Sequence, residues 1–332
     1  MDSHQAHVEK LYTQLNIFEK LFAILCHRNG GQKLNDHVYH LGSPSANGAY
    51  DLTFSCLIHG NELGGLFAIN HFLTNLIASG DTFNKSLCII IGNIKAAEMN
   101  KRFYQRDLNR CFGAEKTELY EEVLAELISP HLRASRYLVD LHQTNSPTES
   151  DFFIFPFTNS NIEFASSLGP GIPIVVHGIE FSKDGMCADS FVVENGGVAI
   201  TYEMGVVGQE HLQIEKAANI LVRAYLSKIQ ESRMEFIVPQ TVFTSAEVVI
   251  AKHRRQLVPG LVNFSPVVRG LQLGYDEAGT VLAQTDGYVL FPKYGELAIY
   301  STELCQIISA VELFGFAQPK ELKYPSKIFG IL

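Results

Sequence analysis

The sequence predicts an α/β fold, with a mostly parallel, mixed sheet flanked by helices over residues 1–235 and a smaller all-β domain over 236–332. Three observations lead there. Apolar runs of strand length alternate with helix-period segments through the first two thirds of the chain. Some of those runs, such as "SLCIIIGN" at 86–93, are apolar throughout, as strands covered on both faces are. Beyond residue 236 the helical period stops, and short alternating runs separated by Gly, Asp and Pro take over.

The elements follow in order. "HVEKLYTQLNIFEKLFAILCHRNGG" carries apolar residues at 11, 15, 18, 21, 22 and 25, a helical period stopped by Gly30 and Gly31. "YDLTFSCLI" reads as a strand, and "ELGGLFAINHFLTNLIASG" as a helix ending at Gly80. "TELYEEVLAELISPHL" is helical up to about Pro130, where the ring removes an N–H donor. "RYLVDLHQ", "FFIFPF", "IPIVVHG" and "GVAITYEMG" are strands, and "QEHLQIEKAANILVRAYLSKI" is a long amphipathic helix. "TVFTSAEVVIAKH", "FSPVVRGLQLGYDEAGTVLAQTDGYVLF" and "LCQIISAVE" make up the β region at the end.

Composition narrows the function. The 332 residues are 46% hydrophobic, enough for a sizeable core and unlike a disordered chain. No apolar run approaches the ~20 residues that span a bilayer. The opening "MDSHQAHVEKLY" is mixed and charged, unlike a secretory signal. Cys26, Cys56, Cys88, Cys111, Cys187 and Cys305 are scattered without a C-x-x-C, which predicts a reducing, cytoplasmic setting and no cysteine-based metal site. The net charge of −9 argues against nucleic acid, whose phosphates repel an acidic surface. An anionic small molecule would need basic residues concentrated locally. One such concentration exists, in "NIKAAEMNKRFYQRDLNR", with Lys95, Lys101, Arg102, Arg106 and Arg110.

In open α/β sheets ligands bind beyond the carboxyl ends of the strands. Polar residues at predicted strand ends are therefore the site candidates. His59 ends "LTFSCLIH", and Glu62 follows in the predicted first turn of the next helix. An imidazole and a carboxylate so placed can converge on one zinc ion, whose catalytic sites leave a position open for water. The bland reading is that the helix dipole alone favours Glu62 there. With 12 His and 35 acidic residues, a His-x-x-acid spacing arises by chance about once. A competitor of the same spacing exists in His177 and Glu180, and spacing alone does not separate the two pairs.

Asp140 and His142 in "RYLVDLH" share one face of a strand, so the carboxylate can orient the ring through its second nitrogen. Glu203 interrupts the apolar strand "VAITYEMG", a costly position unless the acid is paired or functional. Arg106, Asn109 and Arg110 in "RDLNRCF" present guanidinium forks and an amide suited to a carboxylate, or else an ordinary solvated loop.

In order along the chain, "HGNE", "GNIKAAEMNKRFYQRDLNRCF", "DLHQT" and "TYEMG" resemble the succinylglutamate desuccinylase/aspartoacylase family, zinc deacylases on a carboxypeptidase-like α/β fold with a C-terminal β domain. The resemblance implies Zn2+ as cofactor, with His59, Glu62 and His142 as its ligands. It implies Glu203 as general base and Arg102 as the group steadying the scissile carbonyl oxygen. Asn109 and Arg110 would hold a substrate carboxylate, and Tyr294 of the β domain is a further candidate for substrate contact. His177 and Glu180 match no position of the family pattern. The implied substrate is a small anionic N-acyl amino acid, with no nucleic-acid or membrane partner; oligomeric state is left open, a homo-oligomer included.

One departure stands out. The aspartoacylase branch has an arginine shortly before the general base, whereas "GMCADSFVVENGGVAITYE" has no basic residue, the nearest being Lys183. Two alternatives remain beside the deacylase reading: a zinc carboxypeptidase acting on small peptides, and a non-catalytic protein that keeps the scaffold.

Overall fold

The structure is a computed structural model, and it describes residues 3–43, 45, 48–114, 118–178, 185–232, 241–250, 256–294 and 303–311. The chain opens with the helix α1 (Ser3–Asn29) and the short strands β1 (Gly31–Lys33) and β2 (Val38–Leu41). Next come β3 (Leu52–Cys56), α2 (Gly64–Ser79), β4 (Leu87–Ile91) and a short helix α3 (Ile94–Glu98). The helix α4 (Tyr120–Arg133) leads into β5 (Tyr137–Thr144) and β6 (Phe152–Pro156). The helix α5 (Asn159–Leu168), β7 (Ile174–His177), α6 (Ala188–Glu194), β8 (Val198–Val206) and α7 (Glu210–Lys228) complete this part.

The remaining described elements are all strands: β9 (Val242–Ile250), β10 (Gln256–Leu257), β11 (Pro266–Val267), β12 (Gln272–Asp276), β13 (Gly279–Leu282), β14 (Gly287–Leu290) and β15 (Glu303–Val311). The fold is thus a mixed α/β sheet with helices, followed by a strand-rich C-terminal region. The large sheet has the order β1-β2-β4-β3-β5-β8-β6-β7-β9-β15-β14-β11. Its centre, β4-β3-β5-β8, is parallel, whereas β2 and β6 run antiparallel to their inner neighbours. The strand β9 pairs in parallel with β7, so the sheet continues without a break into the C-terminal strands. The boundary expected at 235/236 lies outside the described residues.

Alternation along the central strands decides which side chains meet the core. On β5, Val139 and Leu141 pack with Leu66, Phe72 and Leu221 beneath α2 and α7. On β8, Ile200, Tyr202 and Met204 join the same cluster. The intervening residues face the other way, where Leu138 and Ala199 pack with Leu124, Ile128 and Phe191 of α4 and α6. Asp140, His142, Thr201 and Glu203 follow from the same period of two, and all lie on this second face. The sheet therefore carries its polar residues toward the α4/α6 side, at the ends of β5 and β8.

Two local expectations differ. The helix α4 does not stop at Pro130 but runs on to Arg133. Leu132 is completely buried, the Ala134 N–H donates to the Pro130 carbonyl, and Ser135 Oγ donates to the His131 carbonyl. These contacts offset the hydrogen bond that the proline removes. Glu62 was expected in the first turn of a helix, yet α2 begins at Gly64 and Glu62 lies in the turn ahead of it. Its position is held by the side chains around its carboxylate and not by the helix dipole.

Candidate active site

The chain leaves β3 through a tight bend. Leu57 takes a left-handed φ of 56°, and its carbonyl accepts the N–H of Asn93 at 2.6 Å. Gly60 then passes so close to α3 that a Cβ there would lie 2.3 Å from the Ala96 and Ala97 backbone. At Gly64 a Cβ would lie 2.6 Å from the Gln143 side chain. In that space the Gly64 N–H donates to Gln143 Oε1 at 2.7 Å. The glycines of "HGNELGG" thus let the bend after β3 press against α3 and the end of β5.

This bend brings His59 and Glu62 onto His142. His59 Nδ1 lies 2.9 Å from Glu62 Oε1, His142 Nδ1 lies 3.0 Å from Glu62 Oε2, and the two Nδ1 atoms are 3.0 Å apart. All three side chains are buried. Each ring has its other nitrogen on a carboxylate: His142 Nε2 donates to Asp140 Oδ2 at 2.8 Å, and His59 Nε2 to Asp107 Oδ1 at 3.1 Å. Asp140 is itself fixed by the Ser55 hydroxyl at 2.6 Å. A carboxylate holding one ring N–H turns the other nitrogen's lone pair outward. With each Nε2 proton on its carboxylate, both Nδ1 atoms and the Glu62 carboxylate face one another in a buried space.

That donor set calls for positive charge. Burial works against a charged His142, but Asp140 and Glu62 outweigh it and hold its pKa well above the usual value. Burial likewise opposes ionisation of Glu62, and the two histidines reverse this, holding its carboxyl far below the usual range. A divalent cation meets the same demand. Tetrahedral zinc with ligand bonds of about 2.0–2.1 Å sets its ligand atoms roughly 3.3 Å apart. The spacing of 2.9–3.0 Å is close to that, so His59, Glu62 and His142 fit a divalent metal of the zinc type.

Glu203 stands opposite His142 in the β5–β8 register. It is buried, and among the described residues its Oε2 has no hydrogen-bond partner. Burial, set against the nearby His142 and reinforced by Glu62, pushes its carboxyl up to about 7. Arg102 is partly exposed; its Nε donates to Asp107 Oδ2 at 3.0 Å, and a terminal nitrogen lies 3.7 Å from Glu62 Oε1. Burial opposes ionisation of Asp107 as well, yet Arg102 and His59 keep its carboxyl well below the usual range.

Asn109 and Arg110 form a 3-10 turn (Leu108–Arg110) capped by Asp107, whose Oδ1 accepts the Asn109 N–H at 2.9 Å. Asn109 Oδ1 accepts the Ala188 N–H at the start of α6, also at 2.9 Å, and Arg110 is exposed beside it. Arg106 pairs with Glu122, and Lys95 lies over the Tyr104 ring at 3.8 Å, so both are engaged within the loop. Tyr294 sits apart from this group. Its hydroxyl donates to the Val258 and Leu261 carbonyls and accepts the Leu261 N–H, and none of these bonds reaches the His59–Glu62–His142 cluster.

Sequence reasoning passed over two residues of the site. Asp107, in the quoted "RDLNR", was read only as part of an arginine motif; a carboxylate set between two arginines was the available signal. Glu121 left none, because it looks like any acid in a first helical turn. It is completely buried and accepts the backbone N–H groups of Tyr104, Gln105 and Arg106 at 2.6, 3.1 and 3.0 Å, together with Asn93 Nδ2 at 2.9 Å. One carboxylate thereby shapes the loop that carries Arg102 and Asp107. Of the competing pair, Glu180 lies outside the described residues, as does Lys183, and His177 instead meets Cys187 and Asp189.

Comparison with known proteins gives the family of the chain. A "Probable aspartoacylase" of Parasynechococcus marenigrum (strain WH8102) is 28% identical over 164 residues, 46% of this chain and 52% of the relative. The chain therefore spans about half the length of that relative. A "Succinylglutamate desuccinylase" of Pseudoalteromonas atlantica is 24% identical over 280 residues, 76% of this chain and 79% of the relative. Among solved structures, succinylglutamate desuccinylase of Vibrio parahaemolyticus superposes with a TM-score of 0.67 at 16% identity, covering 83% of this chain and 86% of that one. Murine aminoacylase 3 gives 0.61 at 18% identity, covering 79% and 95%. At such identities these two likenesses concern the fold. The sequence profile described as "Succinylglutamate desuccinylase/Aspartoacylase catalytic domain" matches residues 49–229, more than half of the chain and every residue of the His59–Glu62–His142–Glu203 cluster. The chain belongs to the succinylglutamate desuccinylase/aspartoacylase family.

Proposed function

We propose that the protein is a zinc-dependent amidohydrolase that removes the acyl group from a small anionic N-acyl amino acid, of the N-succinylglutamate or N-acetylaspartate type. The observation that carries this reading is the convergence of two outward-facing Nδ1 atoms and the Glu62 carboxylate beside the unpartnered oxygen of Glu203. His59, Glu62 and His142 would hold the cation. Such a cation, when bound, acts as a Lewis acid and lowers the pKa of a water toward about 7.

The chain's own residues supply the rest. Glu203 takes a proton from the attacking water at its free oxygen and returns it to the amide nitrogen as the amine leaves. Burial raises this carboxyl above the usual range, which strengthens it as a proton acceptor. Arg102, kept charged by Asp107 and Glu62 against the cost of burial, donates to the carbonyl oxygen as negative charge builds on it. Asn109 and Arg110 hold a substrate carboxylate, Asn109 with its carbonyl already committed to α6 and Arg110 from the solvent side. Tyr294 remains a substrate-binding candidate, and to act it must exchange the backbone bonds that now hold its hydroxyl.

Two arginines at one end of an acidic molecule explain how a negatively charged substrate is drawn in. All six cysteines are free, and among the described residues no helix is long and apolar enough to cross a membrane. The free thiols fit a reducing compartment, and we read the protein as cytoplasmic.

The test is release of amine from N-succinylglutamate and N-acetylaspartate, with and without chelator. The proposal expects turnover of one of them, abolished by chelator and by either His59→Ala or Glu203→Gln. Full hydrolysis by both variants would overturn it. A dipeptide cleaved faster than either compound would move the substrate class to peptides.

A further inference from the structure

His177 ends β7, Cys187 caps α6, and Asp189 lies in the first turn of α6. Their ligand atoms all fall within 4.8 Å of one another. Each is already aimed. His177 Nδ1 donates to the Gly178 carbonyl at 2.8 Å, which directs Nε2 toward Asp189 Oδ2, 3.8 Å away. Asp189 Oδ2 accepts from the Thr201 hydroxyl at 2.9 Å, and its Oδ1 accepts from the Ser190 N–H at 2.5 Å. Cys187 Sγ lies 2.8 Å from that same Oδ1 and 3.0 Å from the Ser190 hydroxyl. Asp189 is buried, while His177 and Cys187 are only partly covered, which leaves a route in from solvent.

This cluster is separate from the one at His59 and shares no ligand with it. Thr201, which donates to Asp189, and Glu203 lie on the same face of β8, two residues apart. A structural role for the polar groups alone leaves one fact unexplained. A nitrogen, a sulfur and a carboxylate oxygen converge there from two elements, β7 and α6.

We infer that His177, Cys187 and Asp189 form a second metal site, for a borderline divalent ion such as Zn2+ or Co2+. A mixed nitrogen, sulfur and oxygen donor set favours such ions over Mg2+ or Ca2+, which take oxygen alone. Zn–S bonds of about 2.3 Å and Zn–N bonds of about 2.0–2.1 Å place ligand atoms roughly 3.3–3.6 Å apart, and the Sγ–Oδ1 and Nε2–Oδ2 separations of 2.8 and 3.8 Å lie on either side of that range. On binding, Cys187 gives up its proton to solvent and the thiolate takes its place on the metal. Partial burial and the neighbouring Asp189 carboxylate hold this thiol well above its usual pKa in the absence of a cation.

The metal ties the start of α6 to β7 and, through Thr201, to β8. Its mechanical consequence lies next door. The Ala188 N–H donates to Asn109 Oδ1, and a Cβ at Gly185 would lie 2.4 Å from the Arg110 carbonyl. The loaded site therefore braces the turn against which Asn109 and Arg110 rest.

Cobalt titration distinguishes the two sites, because a thiolate bound to Co2+ gives a sulfur-to-cobalt charge-transfer band in the near ultraviolet. The His59–Glu62–His142 site has no sulfur and cannot give one. Metal-free full-length protein titrated with Co2+ should take up a second equivalent and show the band. His59→Ala should keep the band and lose one equivalent; Cys187→Ser and Asp189→Asn should each lose the band and keep the equivalent bound by the first site. A band that survives Cys187→Ser, or uptake of a single equivalent without a band, overturns the inference. Circular dichroism of each variant confirms that loss of the band is not loss of the fold.

Discussion

Glu203 lies opposite His142 across the β5–β8 ladder, one residue a buried carboxyl with an unpartnered oxygen and the other an imidazole aimed at Glu62. Parallel strands in this register set a buried carboxyl and a buried imidazole side by side. The acid is raised to about 7 chiefly because it is buried. On the proposed function, the placement that suits Glu203 to proton transfer also costs stability.

Glu203→Gln should lower kcat by about 10²–10⁴-fold with little change in KM, as expected when a general base is removed and its shape kept. Steady-state kinetics on the best N-acyl amino acid would check this. A KM effect without a kcat effect would make Glu203 a binding residue.

The same substitution should show itself in stability. The folded pKa of Glu203 is raised above its unfolded value near 4.5. The folded state therefore binds more protons between about pH 4.5 and 7, and stability falls as pH rises through that window. Below it the acid is neutral in both states and carries no such penalty. Metal-free Glu203→Gln should thus gain stability over the parent at pH 8 and lose that advantage at pH 4.5. Urea denaturation at the two pH values measures the difference, and an advantage independent of pH would contradict the assigned shift.

Arg102→Lys should reduce kcat by about 10²–10³-fold, the usual effect of losing one donor to a developing oxyanion. Lysine keeps the charge beside Asp107 but loses the planar fork that spans Asp107 and Glu62. Kinetics at saturating substrate would check it; an unchanged kcat would remove Arg102 from the chemistry.

Glu121→Gln should destabilise the protein by roughly 1–3 kcal/mol, because an amide NH2 in place of either oxygen faces at least two N–H donors that the carboxylate had accepted and leaves them unpaired. The loop carrying Arg102 and Asp107 should loosen with it. Urea denaturation gives the first quantity, and hydrogen exchange of the 104–106 amides gives the second.

Much of this was legible in the sequence. "LTFSC" and "LCIII" are strands because apolar residues covered on both faces have no other use at that length. His59, Glu62, His142 and Glu203 could be picked out because each is polar at the end of such a run. The contacts that orient them could not. Asp107 reaches His59 across 48 residues of chain, and Glu121 organises loop residues that lie 15 to 17 positions before it. Both depend on tertiary packing that leaves no period or spacing behind. His177 was noticed for the acid three residues after it, but its partners come 10 and 12 residues later, at the start of a short helix that the sequence does not mark. The continuation of the sheet from β7 into β9 was hidden likewise, because strand order is decided by pairing and not by composition.

The central claim is that a divalent cation belongs among His59, Glu62 and His142. Anomalous diffraction at the zinc edge, on crystals of metal-replete protein, tests it most directly. The account predicts a peak within about 2.0–2.2 Å of both Nδ1 atoms and a Glu62 oxygen. Fully loaded crystals with no density between those three side chains would contradict it.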